Sequence, residues 1–273
     1  MFLSDGLPSR SIAGDEKRVF VHSYATLHSE GISKLYREEC DFYDWSTGRN
    51  KGSIAQACVK PGVEETYMLW GDSHAQALSG GLRAVLPQAV SLAQIATSGC
   101  KASLVDIPGN GANVEACRLS NQFAVEQMKK LVPELLILAQ STNHEDTDWQ
   151  RIADYAHAQG IRRVVLVGPT PQWHPSLPQV IVNNYWGKDH EIVRMGLDQS
   201  VLNTDTLMQK KYGNSDSITY VSLIDRLCNA DGCRAVVPTE DVHDLLVMDY
   251  GHLTPAASFY VAKNIISTKL SIH

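Results

Sequence analysis

Two short strings in this chain carry the side chains that acyl transfer needs. Gly71-Asp72-Ser73-His74 follows an apolar run and precedes a helical pattern with Leu78, Leu82 and Val85 on one side. A serine there stands at a helix amino terminus, where unpaired backbone N–H groups and the helix dipole stabilise a developing anion. The plainer alternative is that Asp72 or Ser73 only caps the helix. Far along the chain, Val247-Met248-Asp249-Tyr250-Gly251-His252-Leu253-Thr254 sets a carboxylate three residues before an imidazole, just ahead of a second helix start. The carboxylate can orient one ring nitrogen while the other faces a nucleophile, which supplies a general base. The order Ser, Asp, His also occurs in serine hydrolases of α/β type, with Asp and His much closer together here.

Two further segments offer hydrogen-bond donors. Thr97-Ser98-Gly99-Cys100 contains a glycine whose N–H can approach a substrate oxygen with no side chain in the way. Ser141-Thr142-Asn143-His144 offers the Asn143 amide. Two or three donors converging on one point form an oxyanion hole, although a glycine and an asparagine are first of all turn and loop residues. Competing chemistry exists as well. Cys100 with His144 can be drawn as a thiol nucleophile and base, a role that pairing with Cys117 would abolish. His243 and Asp244 imitate the Asp-His pair, but the helix start follows Asp249 and His252 directly. Asp72, His74 and Trp173, the last in Gly168-Pro169-Thr170-Pro171-Gln172-Trp173, are weaker candidates for substrate contact; Trp173 can stack on a sugar ring or simply pack.

Such residues work only if a scaffold gathers them, and in a parallel α/β sheet reactive groups collect at the carboxyl ends of the strands. From Thr66 onward short apolar runs alternate with turns and helical patterns, which predicts a parallel sheet covered by helices on both faces. The strands are expected at Thr66–Gly71, Ala89–Ala96, Leu135–Gln140, Arg163–Gly168 and Ile218–Leu223, a five-stranded α/β/α flavodoxin-like sandwich. Asp148 is placed to cap a helix carrying Ile152, Tyr155 and Ala156, with Gly160 as its stop. Thr254-Pro255 opens another with Ala257, Val261 and Ile265 in one stripe. Residues 1–63 read differently, with isolated apolar residues, a modest helix signal over 26–38 and a polar loop from Ser46 to Gly52. The expected division is an N-terminal extension, 1–63, and a catalytic domain, 64–273.

The bulk properties narrow the classes. With 273 residues, 44% hydrophobic and 20% charged, the chain can bury a core. Lys+Arg 24 against Asp+Glu 30 leaves a net charge of −6 and no basic block, which argues against nucleic acid as partner. The longest uncharged stretch, Ala84 to Cys100, is broken by Pro87, Gln88 and Gln94, so no transmembrane segment is expected. The amino terminus lacks the charged start and apolar core of a secretory signal, as in a cytosolic protein or a piece of a longer one. Six cysteines, at 40, 58, 100, 117, 228 and 233, would close three modest loops if paired in sequence, a pattern suited to an oxidising compartment. Six reduced, buried cysteines in a cytosolic enzyme are the alternative, and zinc lacks a second close pair to complete four ligands. No metal and no cofactor is expected.

Taken together the motifs resemble the SGNH, or GDSL-like, esterases. Gly71-Asp72-Ser73 resembles the first block of that family, Gly99 its second, Asn143 its third and Asp249-x-x-His252 its fifth, over about residues 64 to 270. The resemblance implies Ser73 as nucleophile, His252 as base, Asp249 as its orienting partner, and the Ser73 N–H, Gly99 N–H and Asn143 amide as the oxyanion hole. Ser141-Thr142-Asn143-His144 departs from the usual Gly-x-Asn-Asp. A narrower likeness, carried by Asp5-Gly6-Leu7-Pro8-Ser9-Arg10, Gly71-Asp72-Ser73-His74-Ala75, Cys228-x4-Cys233 and Asp249-x-x-His252-Leu253-Thr254, is to the periplasmic SGNH domain of acyltransferase-3 type membrane proteins, which O-acetylate bacterial surface glycans such as lipopolysaccharide O-antigen. It implies a periplasmic domain of an inner-membrane protein, exported by helices outside this chain, with Met1 a cloning start. It also implies an acetyl donor supplied through a membrane acyltransferase domain, a glycan acceptor, and bridges Cys40–Cys58, Cys100–Cys117 and Cys228–Cys233. The expected reaction is acetyl transfer through an acyl-serine. Alternatives are a small-ester or carbohydrate acetylesterase, with water as acceptor, and a catalytically idle glycan-binding module.

Overall fold

The apolar runs form a five-stranded parallel sheet in the computed structural model, which describes residues 7–27, 29, 35–239 and 243–270. Asp5 and Gly6 of the resemblance, and residues 28 and 30–34 of the expected 26–38 helix, lie outside the described residues. The strands are β1 (Glu65–Gly71), β2 (Val90–Ala96), β3 (Leu135–Ala139), β4 (Arg163–Val167) and β5 (Thr219–Val221). Their order across the sheet is β2-β1-β3-β4-β5, the doubly wound order in which a crevice opens beside β1 where the winding reverses. Register sets Gly71 between Ala96 and Ala139, so the ends of β1, β2 and β3 stand level.

The longer helices are α1 (Leu7–Thr26), which precedes the sheet, and α2 (Ser73–Val85), α3 (Ala112–Leu131), α4 (Trp149–Ala158), α5 (Gln199–Tyr212) and α6 (Pro255–Val261). Because strand side chains alternate, Leu69, Ile137 and Val167 face one way, onto Leu78 and Leu82 of α2 and Val261 of α6. Met68, Trp70, Leu136 and Leu138 face the other, onto α3, α4 and α5 through Met128, Ile152 and Met208. Helices α2 and α3 therefore cover opposite faces. Each fully buried Leu or Ile contributes roughly 1.5–3 kcal/mol by leaving water, which holds the three-layer sandwich together.

The extension carries an earlier helix that was not expected. Of the expected 26–38 segment, residues 26, 27, 29 and 35 are helical and 36–40 form a turn and a short 3-10 segment; a further helix, α1, runs earlier, over Leu7–Thr26. Its anchoring contacts are local: Phe20 packs edge-on against Trp186, and the Tyr24 hydroxyl donates to Asp244 at 2.8 Å. None of its residues 14–26 is fully buried, which leaves that part of the helix little apolar periodicity for a sequence pattern to report. Tyr36, Cys40 and Phe42 are buried against the sheet sandwich. The polar loop is a small hairpin, Tyr43–Asp44 with Arg49–Asn50, whose turn is tied by Ser46 and Thr47 N–H groups donating to Asp44. Two short antiparallel ribbons late in the chain, one joining Ile192–Val193, Gly232–Arg234 and Cys228–Asn229, the other Val236–Pro238 and His243–Leu245, were not foreseen because strands this short carry no pattern. The cysteines pair in sequence, Cys40–Cys58, Cys100–Cys117 and Cys228–Cys233. Among the described residues no helix is long and apolar enough to cross a membrane.

Candidate active site

At the end of β1 the chain must turn into α2 without colliding with β3. A side chain on Gly71 would lie 1.8 Å from the Ala139 carbonyl oxygen, so only glycine lets the strands approach this closely. Asp72 is the N-cap of α2, accepting from the His74 N–H at 2.8 Å; its second oxygen accepts from the Ser141 N–H, also at 2.8 Å. Its carboxyl is buried, and burial raises its pKa to about 6 against the lowering pull of those two N–H groups. Ser73 is the first residue of α2, with its N–H at the open end of the helix.

The Asp-His string is a tight turn between two paired segments. Val247 pairs with Leu253, the Met248 N–H donates to the His252 carbonyl at 2.9 Å, and the Thr254 N–H donates to Leu246 at 3.1 Å. At the tip, Asp249 Oδ1 accepts from the Gly251 and His252 N–H groups at 2.9 and 2.8 Å, which curls the carboxylate back over the ring. Asp249 Oδ2 then lies 2.7 Å from His252 Nδ1, and His252 Nε2 lies 2.8 Å from Ser73 Oγ. Burial pushes the Asp249 carboxyl up, but the hydrogen bond and charge of His252 and the two backbone N–H groups win, leaving its pKa at about 2. An ionised carboxylate can only accept, so Nδ1 carries the ring proton and Nε2 is left to accept from the Ser73 hydroxyl. That arrangement can remove a proton from Ser73 as it attacks a carbonyl.

Around the row lie residues the sequence did not single out. The Tyr250 hydroxyl stands 3.4 Å from His74 Nε2 and 3.4 Å from Ser141 Oγ. The Gln172 amide donates to the Ser141 carbonyl at 3.0 Å, tying the end of β3 to the loop after β4. Tyr36, from the extension, brings its ring within 6.5 Å of His252, and burial, with Asp249 next in weight, raises its hydroxyl pKa. Tyr250, inside the Asp-x-x-His string, and Gln172, beside Trp173 in the string after β4, stood within quoted motifs, and Tyr36 did not.

Gly99 and Asn143 stand on the loops after β2 and β3, the strands that flank β1. Both are exposed and in left-handed backbone, at φ 70° and 54°. Neither the Gly99 N–H nor the Asn143 amide has a protein partner among the described residues. A groove of about 410 Å³ opens beside Gly99, with Lys101, Leu104, Ile107, Asp146 and Arg151 among its walls.

Three weaker candidates need correction. Trp173 is fully buried, its indole N–H donating to the Val193 carbonyl at 3.4 Å, so it packs the core and has no face for a sugar. Asp72 and His74 are buried too; the first caps α2 and holds Ser141, and the second stacks its ring 4.6 Å from His252. Burial, aided by the neighbouring His252 charge, drives the His74 pKa well below its ordinary value. The thiol alternative fails because Cys100 is bridged to Cys117. The competing Asp244 is engaged by Tyr24 and by the Leu245 N–H. Among the described residues no group of three His, Cys, Asp or Glu side chains is arranged to hold a metal.

Comparison with known proteins adds a family and a fold. Residues 39–267 match the model of the SGNH domain described as fused to AT3 domains. The periplasmic domain of a lipopolysaccharide acetyltransferase from Salmonella serovar Paratyphi A superimposes with a TM-score of 0.73 at 21% identity, covering 91% of this chain and 99% of that one. A Streptococcus pneumonia protein described as a candidate platelet activating factor aligns at a TM-score of 0.42 and 14% identity, over 90% and 96% of the two chains, and carries no argument. No curated protein matches the chain.

Proposed function

We propose, because the chain belongs to the family of SGNH domains found fused to AT3 domains, that it is a serine O-acyltransferase domain acting on a bacterial surface glycan. The observation that carries this reading is the unbroken row from Asp249 through His252 to Ser73, at 2.7 and 2.8 Å. In the first half-reaction Ser73 Oγ attacks the acetyl carbonyl while His252 Nε2 takes its proton; the C–O bond to the donor breaks and the leaving group receives that proton. In the second, a glycan hydroxyl gives its proton to His252 and attacks the acyl carbon, the Ser73 ester bond breaks, and His252 Nε2 returns the proton to Ser73 Oγ. The Ser73 N–H, the Gly99 N–H and the Asn143 amide receive the negative charge that gathers on the carbonyl oxygen in each step.

Within this reading the donor reaches Ser73 through the fused membrane acyltransferase domain, the acceptor is lipopolysaccharide-like, and the location is the periplasm, where three disulfides persist. The extension to residue 63 and the catalytic part, 64–273, act together. Water as acceptor would make the same residues an acetylesterase, because the chemistry is shared up to the acyl-enzyme.

The test is covalent. A fluorophosphonate serine probe is expected to add its mass to Ser73, and Ser73→Ala to lose both the label and turnover of small acetyl esters, by on the order of 10⁴-fold or more. Absence of labelling at high probe concentration would favour the idle binding module. Partition of the acyl group between water and added glycan separates transferase from esterase.

A further inference from the structure

Asp41 lies beside the Cys40–Cys58 bridge in the extension and is only 4% exposed. A carboxylate taken this far from water must be satisfied by donors, and its donors come from both sides of the site. The Ser98 hydroxyl donates to Oδ2 at 2.6 Å, with the Ser98 N–H at 3.3 Å. The Gln76 amide donates to Oδ2 at 2.9 Å, and the Tyr43 N–H to Oδ1 at 2.8 Å. Gln76 is on α2, one turn beyond Ser73, and Ser98 immediately precedes Gly99. One carboxylate thus ties the helix of the nucleophile to the loop after β2.

The far side of the same residue is also held. Asn113, at the start of α3, donates from Nδ2 to the Ser98 carbonyl at 3.1 Å. In a trans peptide the carbonyl and the following N–H point in opposite directions. Holding the Ser98 oxygen toward the start of α3 therefore turns the Gly99 N–H away from Asn113. The loop is closed behind it by the Cys100 N–H donating to Thr97 at 2.9 Å and by the Cys100–Cys117 bridge. Gly99 itself, at φ 70° and with only ordinary contact to the Asn113 amide where a side chain would be, resists rotation of that peptide only weakly.

We propose that Asp41 and Asn113 are positioning residues that hold Ser98 from opposite sides, Asp41 at its N–H and hydroxyl and Asn113 at its carbonyl, so that the N–H of the following Ser98–Gly99 peptide is presented to the oxyanion. The inference rests on the acyl-serine reading above. It gives the extension a part in catalysis that reaches the reacting atoms only through Gly99.

The experiment compares the full chain with Asp41→Asn and Asn113→Ala, using p-nitrophenyl acetate turnover over a range of pH, fluorophosphonate labelling rates and thermal melting. Oxyanion contacts form in the transition state and not with bound substrate, so kcat is expected to fall about 10- to 100-fold in Asp41→Asn and about tenfold in Asn113→Ala, with KM within about twofold. Labelling should slow in parallel. The apparent pKa of the acid limb should stay where it is, because Asp249 and His252 are untouched. Folded variants that keep kcat within about twofold overturn the inference, as does an acid limb that moves with kcat, which would place the effect on His252. If Asp41→Asn does not fold, the partly exposed Asn113→Ala decides by the same criteria. A wild-type chain that the probe does not label would instead overturn the acyl-serine reading itself.

Discussion

Among the described residues Asp249 meets three donors with two oxygens, the backbone N–H groups of Gly251 and His252 on one and the ring Nδ1 on the other. Asparagine has the same shape but one accepting atom. In Asp249→Asn the side-chain oxygen is held by the two backbone donors, so the NH2 group faces Nδ1 and favours the tautomer with its proton on Nε2, the atom that must accept from Ser73. The expected loss in kcat is on the order of 10³- to 10⁴-fold with KM little changed, measured with a small acetyl ester. Retained turnover would remove Asp249 from the row. With its pKa at about 2, the wild-type carboxyl stays ionised through the mildly acidic range, so any acid limb above that belongs to another group.

At the scale of elements, the tight turn that carries Asp249 and His252 is only as firm as the helix start behind it. Thr254 Oγ1 accepts from the Ala257 N–H at 3.1 Å, capping α6, and donates to the Leu245 carbonyl at 2.7 Å, joining α6 to the ribbon at 243–245. The side chain is fully buried, so no water replaces either partner. Thr254→Ala should cost about 1 kcal/mol for the cap and a similar amount for the stranded carbonyl, roughly 2 kcal/mol together. Thr254→Ser, which keeps the hydroxyl, should recover most of it. Urea unfolding of the three chains measures the difference, and equal midpoints for wild type and Thr254→Ala would refute the double role.

For the molecule as a whole, the buried histidine that stands where the family has an acid should set part of its response to acid. His144 is fully buried beside Trp149, and neither ring nitrogen has a hydrogen-bond partner among the described residues. Burial, with the Lys101 charge a minor contributor, lowers its pKa from 6.5 to about 4. The unfolded chain takes up this proton below the upper value and the folded chain only below the lower one. The contribution to stability is therefore complete above the upper value and is lost as pH falls through the interval. His74 has the same sign; Asp72, raised to about 6, has the opposite one, since its folded form binds a proton first. Between about pH 7.5 and about pH 5, wild type should lose roughly 2 kcal/mol more than His144→Met in urea unfolding. Parallel losses in the two chains would show that His144 is not buried neutral.

The five strands, the two helix caps at Asp148 and Thr254 and the strings around Ser73 and Asp249 were legible because each is written in consecutive residues, as alternation, a capping side chain or a short spacing. Periodicity reports local geometry, and the geometry followed. Sequence could not say that Ser73 and His252, 179 residues apart, come within 2.8 Å, because that distance depends on where α2 and the turn at 249–252 meet above the sheet. Nor could it say that Trp173 faces inward, or that Asp41 reaches Ser98 across 57 residues. An isolated polar residue in a loop looks the same whether solvent or a buried partner satisfies it. The choice is made by packing, which places donors around a carboxylate only after the chain has closed on itself.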